Sequence, residues 1–201
     1  MARLNWLHFS DLHMGMAEQQ WLWPRVRGEL FEDLARLHSV AGPWHLLLFT
    51  GDLTRTGASD EYKVLSSNIQ RILAHLKKLG SEPAILCIPG NHDLVRPDAK
   101  APVVKAFQKW HEDEEIRDQL FSDKDNDYKK TIRESFSNYT AWWGALPTPY
   151  SIRQGVLPGD FSVTVDVNGV RLGVVGLNSA FLQLTGGDYQ GKLGLDVRQL
   201  S

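Results

Sequence analysis

The chain has 201 residues, 42% of them hydrophobic and 23% charged; this composition suits one globular domain and is too apolar for a disordered chain. Its 22 Lys and Arg residues nearly balance its 24 Asp and Glu residues, so overall charge does not draw it to nucleic acid or anionic lipid, although a local basic groove is compatible with this balance. The single cysteine, Cys87, excludes an internal disulfide and a cysteine-cluster metal site, and favours a reducing cytoplasm. No apolar run reaches the roughly 18 residues of a membrane span, so we expect no membrane segment.

Three short apolar runs, each followed by polar residues, predict three buried β-strands. They are Leu4 to Phe9, Trp44 to Phe49 and Ala84 to Ile88. Between them, apolar residues recur at helical spacing from Val26 to Ala41 and from Ser59 to Leu79, which predicts two helices. This alternation favours an α/β fold with a parallel sheet covered by helices, and an active site at the carboxyl ends of the strands.

The rest of the chain has a different pattern. Residues 94–159 are charged and aromatic, with Pro102 at an expected helix start, and predict a helical cap inserted into the single domain 1–201. Residues 161–167 then alternate with period two, Asn168-Gly169 forms a hairpin signal, and residues 170–177 supply the partner strand. A second, partly antiparallel sheet is therefore expected to begin here.

Polar residues follow each of the three apolar strands. They are Asp11 and His13 after the first strand, Asp52 after the second, and Asn91, His92 and Asp93 after the third. Because side chains two apart share a face of an extended chain, Asp11 and His13 can point at one ion. Asp52 has two oxygens that suit a position between two cations, and Asn91 offers a neutral amide oxygen. Oxygen ligands mixed with imidazole favour Mn, Fe or Zn.

These motifs together resemble the calcineurin-like metallophosphoesterase superfamily, whose pattern opens with Asp-x-His, Gly-Asp and Gly-Asn-His followed by Asp or Glu. The phrases Phe9-Ser10-Asp11-Leu12-His13 and Gly51-Asp52-Leu53-Thr54 are most similar to the branch that contains cyclic-nucleotide phosphodiesterases, and some DNA-repair nucleases share the first phrase. The resemblance is strong over residues 4–95 and extends to 161–201 in strand pattern only. It implies a layered αββα β-sandwich.

The same resemblance implies a role for each site residue. Asp11 and His13 would bind a first divalent ion, Asp52 would bridge, and Asn91 would bind a second. His92 would be the catalytic histidine, which protonates the leaving oxygen or stabilises charge after attack of a metal-bound hydroxide on phosphorus. Asp93 is placed to orient His92, with a plain helix-cap role as the equal alternative.

We therefore expect a dinuclear-metal phosphoesterase that acts on a phosphoester, with a phosphodiester favoured and a nucleotide or nucleic acid among the candidate substrates. Two alternatives stay open: a non-catalytic binding or regulatory module on the same scaffold, and a DNA-processing nuclease. Arg55 and Arg96 flank the motifs and could clamp a phosphate, although lone arginines are more often solvated.

The superfamily pattern also contains later histidines, whereas His111 is the only histidine after His92. This predicts that the 201 residues are the N-terminal part of a longer polypeptide, or that a partner chain supplies the missing half. The fold would then be incomplete on its C-terminal side, with an unpaired edge in the second sheet. The piece alone would have weak or no activity, because two or three ligands hold an ion poorly in water.

Overall fold

The computed structural model describes residues 2–16 and 19–200. Its first part is a parallel sheet of strands β1 (Trp6–Phe9), β2 (Leu46–Thr50) and β3 (Ala84–Ile88), in the order β1-β2-β3. Helix α1 (Gln19–Ala41) connects β1 to β2, and helix α2 (Ser59–Lys78) connects β2 to β3. The expected α/β fold with a parallel sheet and helices is confirmed.

The edge of this sheet differs from the expectation. Strands β1 and β3 both lie at edges of this sheet; β3 is buried like the central strand β2, whereas on β1 Trp6 is 55% exposed and His8 is also exposed. The predicted α1 stripe is likewise only partly right, because Leu34 is buried while Val26 and Leu37 face solvent. An apolar strand pattern does not show which of its residues the rest of the chain will cover, since that depends on which segments pack against the strand.

The second sheet is antiparallel. It contains β4 (Arg153–Gln154), β5 (Phe161–Val167) and β6 (Val170–Gly176) in the order β4-β5-β6. Residues Asn168 and Gly169 both have positive φ, as a tight hairpin turn that matches the strand twist requires. Among the described strands, β6 pairs with β5 alone.

The two sheets share one core. Phe161, Val163 and Val165 of β5 pack in the same buried cluster as Leu47 of β2 and Leu65 of α2. On the opposite face of β5, alternate residues are exposed. The described layers are therefore helix, sheet and sheet, with the outer face of the second sheet open.

The segment expected as a helical cap contains four short helices, and its residues belong to two different hydrophobic clusters. They are α3 (Pro102–Phe107), α4 (Glu114–Phe121), α5 (Asp127–Ser135) and α6 (Ser137–Gly144). The first three build a second cluster around Phe107, Trp110 and Phe181, whereas α6 inserts Tyr139 and Trp143 into the main core. A 3-10 turn, Val197–Leu200, ends the described chain. Among the described helices, none combines the length and the hydrophobicity of a membrane span.

Candidate metal centre

The loops that follow β1 and β2 are joined by backbone hydrogen bonds. The amide of Asp11 donates to the carbonyl of Gly51 at 3.1 Å, and the amide of His13 donates to the carbonyl of Asp52 at 2.8 Å. Met14 continues the pattern by donating to Leu53 at 2.8 Å. The parallel ladder thus extends beyond the strand ends and holds Asp11 and His13 beside Asp52.

The backbone at these residues is strained. Asp11, His13 and Asp52 have φ values of 57°, 46° and 53°, in the left-handed region that costs most L-residues on the order of 1 kcal/mol or more. Asp and His enter this region more readily than most side chains. Strained backbone persists only where its surroundings fix it, and it concentrates at functional sites.

The loop after β3 can lie close to the loop that carries Asp52, because glycines occupy the positions where the two loops touch. A Cβ on Gly51 would lie 2.8 Å from the Cα of Gly90, and a Cβ on Gly90 would overlap Oδ1 of Asp52. That close approach lets the backbone amide of His92 donate to Oδ1 of Asp52 at 3.0 Å. Glycine at position 90 is therefore a condition for assembling the site.

These loops bring a set of metal-binding side chains together. His13, Asp52 and His92 each offer one ligand atom, and the three atoms lie within 4.8 Å of one another. Nε2 of His13 also lies 3.8 Å from Oδ1 of Asp11, whose side chain is 67% exposed. Two imidazoles with carboxylate oxygens are a donor set that fits Mn, Fe or Zn.

The structure places the residues predicted from the sequence at different positions relative to the cluster of ligand atoms. Asp11, His13 and Asp52 lie together, and Asn91 is half-buried in the same loop as His92, directly before it. His92 was expected to serve catalysis rather than bind metal, yet its ring stands 4.8 Å from that of His13, edge to face, inside the cluster of ligand atoms. The geometry alone therefore suits His92 to either role.

The ring of His92 is oriented by a backbone carbonyl. Its Nδ1 lies 2.8 Å from the carbonyl oxygen of Arg55. Because a carbonyl only accepts hydrogen bonds, Nδ1 must carry the hydrogen, and Nε2 is left to bind an ion or to transfer a proton. Sequence reasoning did not find this contact, since any residue at position 55 supplies the same carbonyl.

Asp93 has a different position from the one expected. It is fully buried, and its carboxylate accepts hydrogen bonds from the backbone amides of Leu53, Thr54 and Gly90 and from the Thr54 hydroxyl. Burial raises the pKa of Asp93, while these hydrogen bonds oppose the rise. The carboxylate thus supports the loops instead of touching the His92 ring. The helix-cap alternative is wrong, because the next helix begins only at Pro102.

Comparison with known proteins agrees with this arrangement. A family model for calcineurin-like phosphoesterases matches residues 4–179, a stretch that includes all three loops of the site and both sheets. A search of curated proteins finds no match. Since the family model covers most of the sequence and every residue of the metal cluster, the chain belongs to the calcineurin-like phosphoesterase family.

Proposed function

We propose that the protein hydrolyses a phosphodiester at a dinuclear metal centre, as one form of the metal-dependent phosphoesterase activity that its family supports. The observation that carries the proposal is the cluster of His13, Asp52 and His92, with ligand atoms within 4.8 Å of one another. The cluster lies at the carboxyl ends of parallel strands, where α/β proteins place their active sites.

The residues proposed to hold two divalent ions, Mn, Fe or Zn, are Asp11, His13, Asp52 and Asn91. Bound divalent cations lower the pKa of coordinated water and offset negative charge on phosphoryl oxygens. Asp52 would be available to both ions, because it stands between the loops that carry His13 and Asn91. We also propose that further ligands come from another part of the polypeptide or from a partner chain, since these four residues are few for two ions.

His92 is the proposed catalytic acid. With Nδ1 fixed on the Arg55 carbonyl, Nε2 of the protonated ring is the nitrogen that can donate its proton to the leaving oxygen. Asp93 is a positioning residue in this proposal, because it holds the loops that carry Asp52 and His92. The single, buried and free cysteine, Cys87, supports the proposed reducing, cytoplasmic compartment.

The proposal is tested by metal binding and turnover together. Protein purified without chelator should contain Mn, Fe or Zn by elemental analysis, and should hydrolyse bis-p-nitrophenyl phosphate faster than the monoester. Activity of these residues alone is expected to be low. Asp52→Asn should weaken metal binding by more than about tenfold, whereas Asp123→Asn, at an exposed position outside the site, should not change it. Metal binding with no turnover, also when a longer form of the polypeptide is assayed, would favour a binding module.

A further inference from the structure

A groove runs between α1 and α2, outside the metal cluster. It consists of two adjoining clefts of about 470 and 680 Å³, which share Pro24 and Arg71. One end is lined by Met14 and Gly15, which directly follow His13 in the chain. The other end reaches Lys78 near the end of α2. The groove therefore begins beside a loop of the metal centre and leads away from it.

The charge along the groove is of one sign. Four cationic side chains line it: Arg27, Lys63, Arg71 and Lys78. Among the described residues that line either cleft, none is acidic. We call these four residues with the clefts between them the basic groove. It is a concentrated positive feature on a chain whose formal net charge is -2.

The cations of the basic groove also lack acidic partners within the described part of the chain. None of the four takes part in an ion pair there, whereas neighbours on the same helices do: Arg36 pairs with Asp33, and Lys77 pairs with Glu82. The carboxylate of Glu61, packed beside Gly15, is engaged by the backbone amides of Thr56 and Ala58. The positive charge is thus left for an external anion.

The spacing of the cations suits a chain of phosphates. Lys63, Arg71 and Lys78 lie on one face of α2, separated by eight and seven residues. At the helical rise of 1.5 Å per residue, these separations correspond to about 12 and about 10 Å. A single phosphate cannot reach all three, but an extended polyanion can contact them in turn.

Aromatic side chains lie in the same clefts as the cationic side chains of the basic groove. Phe31 and His75 in the second cleft are stacked, with ring centroids 4.3 Å apart and planes 8° apart. In the first cleft, Nε1 of half-buried Trp23 donates to Oδ1 of Asn68 at 2.7 Å, which fixes the indole ring. Fixed aromatic surfaces next to cations are the features with which proteins hold unpaired bases and their backbone.

We infer that the basic groove binds a single-stranded polynucleotide and directs its phosphate backbone to the metal centre. The inference rests on the proposed function and narrows its substrate to the internucleotide diester of a nucleic acid. The concave shape of the two clefts and the linear row of cations favour a single strand over an anionic membrane, which presents a flat array of headgroups.

Binding is tested without turnover. The probes are fluorescein-labelled oligothymidylate and oligouridylate of about 15 nucleotides, titrated in EDTA and followed by fluorescence anisotropy. The test variant is the pair Lys63→Glu and Arg71→Glu, with the pair Lys63→Gln and Arg71→Gln as a milder second variant. The matched control is Lys77→Glu, on the same helix but outside the groove. Circular dichroism verifies that each variant is folded.

We expect the affinity of the unaltered protein to fall with salt, with a slope of log K against log salt of roughly -0.7 for each phosphate contact. The charge-reversal pair should weaken binding by at least about tenfold and reduce the slope by about 1.4, and the Gln pair should act in the same direction. The control should bind as the unaltered protein does.

Oligonucleotide binding that is equal in the folded groove variants and the control would overturn the inference. So would groove-dependent binding to vesicles of phosphatidylcholine and phosphatidylserine without binding to either oligonucleotide. Hydrolysis of bis-p-nitrophenyl phosphate by the unaltered protein separates the two proposals. Groove-dependent oligonucleotide binding without hydrolysis, also when a longer form of the polypeptide is assayed, contradicts the proposed function alone, whereas hydrolysis without oligonucleotide binding contradicts only the inference about the groove.

Discussion

One nitrogen of the His92 imidazole, Nε2, can bind an ion or transfer a proton. Its Nδ1 hydrogen is committed to the Arg55 carbonyl at 2.8 Å, so the neutral ring presents the lone pair of Nε2 and the protonated ring presents an Nε2 hydrogen. The first form can bind an ion, and the second can donate to a leaving group. A substitution that separates metal binding from turnover decides between these two roles.

Replacing His92 by Ala should lower turnover of bis-p-nitrophenyl phosphate by roughly 10² to 10⁴-fold, the usual scale for a lost general acid. Bound metal, measured by elemental analysis, should stay at the level of the unaltered protein. His111→Ala is a suitable control, because His111 lies outside the metal cluster. Loss of metal together with turnover in the His92 variant would instead make this residue a ligand.

The glycine at position 90 leads to a second prediction. Gly90→Ala should displace Asp52, because the added methyl group would overlap Oδ1 of that carboxylate. We expect weaker metal binding and a lower free energy of unfolding. Gly173→Ala on β6 is the matched control, since nothing lies within 4 Å of its added Cβ. Metal affinity that is unchanged in the Gly90 variant would mean that the loop can move aside.

The loops after β2 and β3 form one unit because Asp93 joins them. Its buried carboxylate accepts from three backbone amides and one hydroxyl, and Asp93→Ala would leave those donors without their acceptor. Each unsatisfied buried donor costs about 1 to 3 kcal/mol, so we expect the free energy of unfolding to fall by about 3 kcal/mol or more in chemical denaturation. Exposed Asp123→Ala should change it little. If Asp93 served only the reaction, stability would not change.

Strand β3 carries the only cysteine, and its burial gives a pH-dependent prediction. Burial raises the pKa of the Cys87 thiol, so the folded protein should resist thiol reagents from about pH 7 to about pH 9 and react only on unfolding. Because the folded state keeps this proton longer than the unfolded state does, the contribution of Cys87 to stability should fall as the pH rises above about 8.5, the ordinary pKa of a thiol. Rapid labelling of the native protein would contradict this prediction, and Cys87→Ala serves as the unlabelled control.

The described residues form two large hydrophobic clusters and a smaller one between α1 and α2, and the segment expected as a cap contributes to both large clusters. Helices α3 to α5 pack with Phe181 in one cluster, while α6 belongs to the other. Within the segment 94–159, α3 to α5 therefore pack as a unit separate from α6. Removing all of 94–159 would take Tyr139 and Trp143 out of the main core.

This division is tested by Phe107→Ala in the second cluster. A buried Phe→Ala change costs about 3 to 5 kcal/mol, and the loss should be local. Amides of α3 to α5 are expected to exchange hydrogen faster with deuterium, while amides of β2 and β3 keep their protection. Equal acceleration in both regions would show that the two clusters unfold together. Val40→Ala, at an exposed position of α1, provides the control.

Much of the fold could be predicted from the sequence. An apolar run predicts β3 and an alternating pattern predicts β5, both with their observed ends, and the Asn168-Gly169 turn predicts the hairpin, because these patterns are local properties of the chain. The position of Asp11, His13 and Asp52 after parallel strands likewise predicts that they meet, since the carboxyl ends of such strands share one edge of the sheet.

Only the tertiary structure decided the contacts that depend on backbone groups and on packing between distant segments. It placed the Arg55 carbonyl on His92, buried Asp93 beneath the loops, left Trp6 and His8 of β1 exposed and assigned α6 to the main core. Sequence patterns indicate the secondary structure and the burial that a side chain favours, and the spacing at which residues repeat along one element. They do not report which segment, far away in the chain, supplies the carbonyl, the amide or the apolar surface that each side chain meets, because those contacts exist only once the loops and layers have assembled.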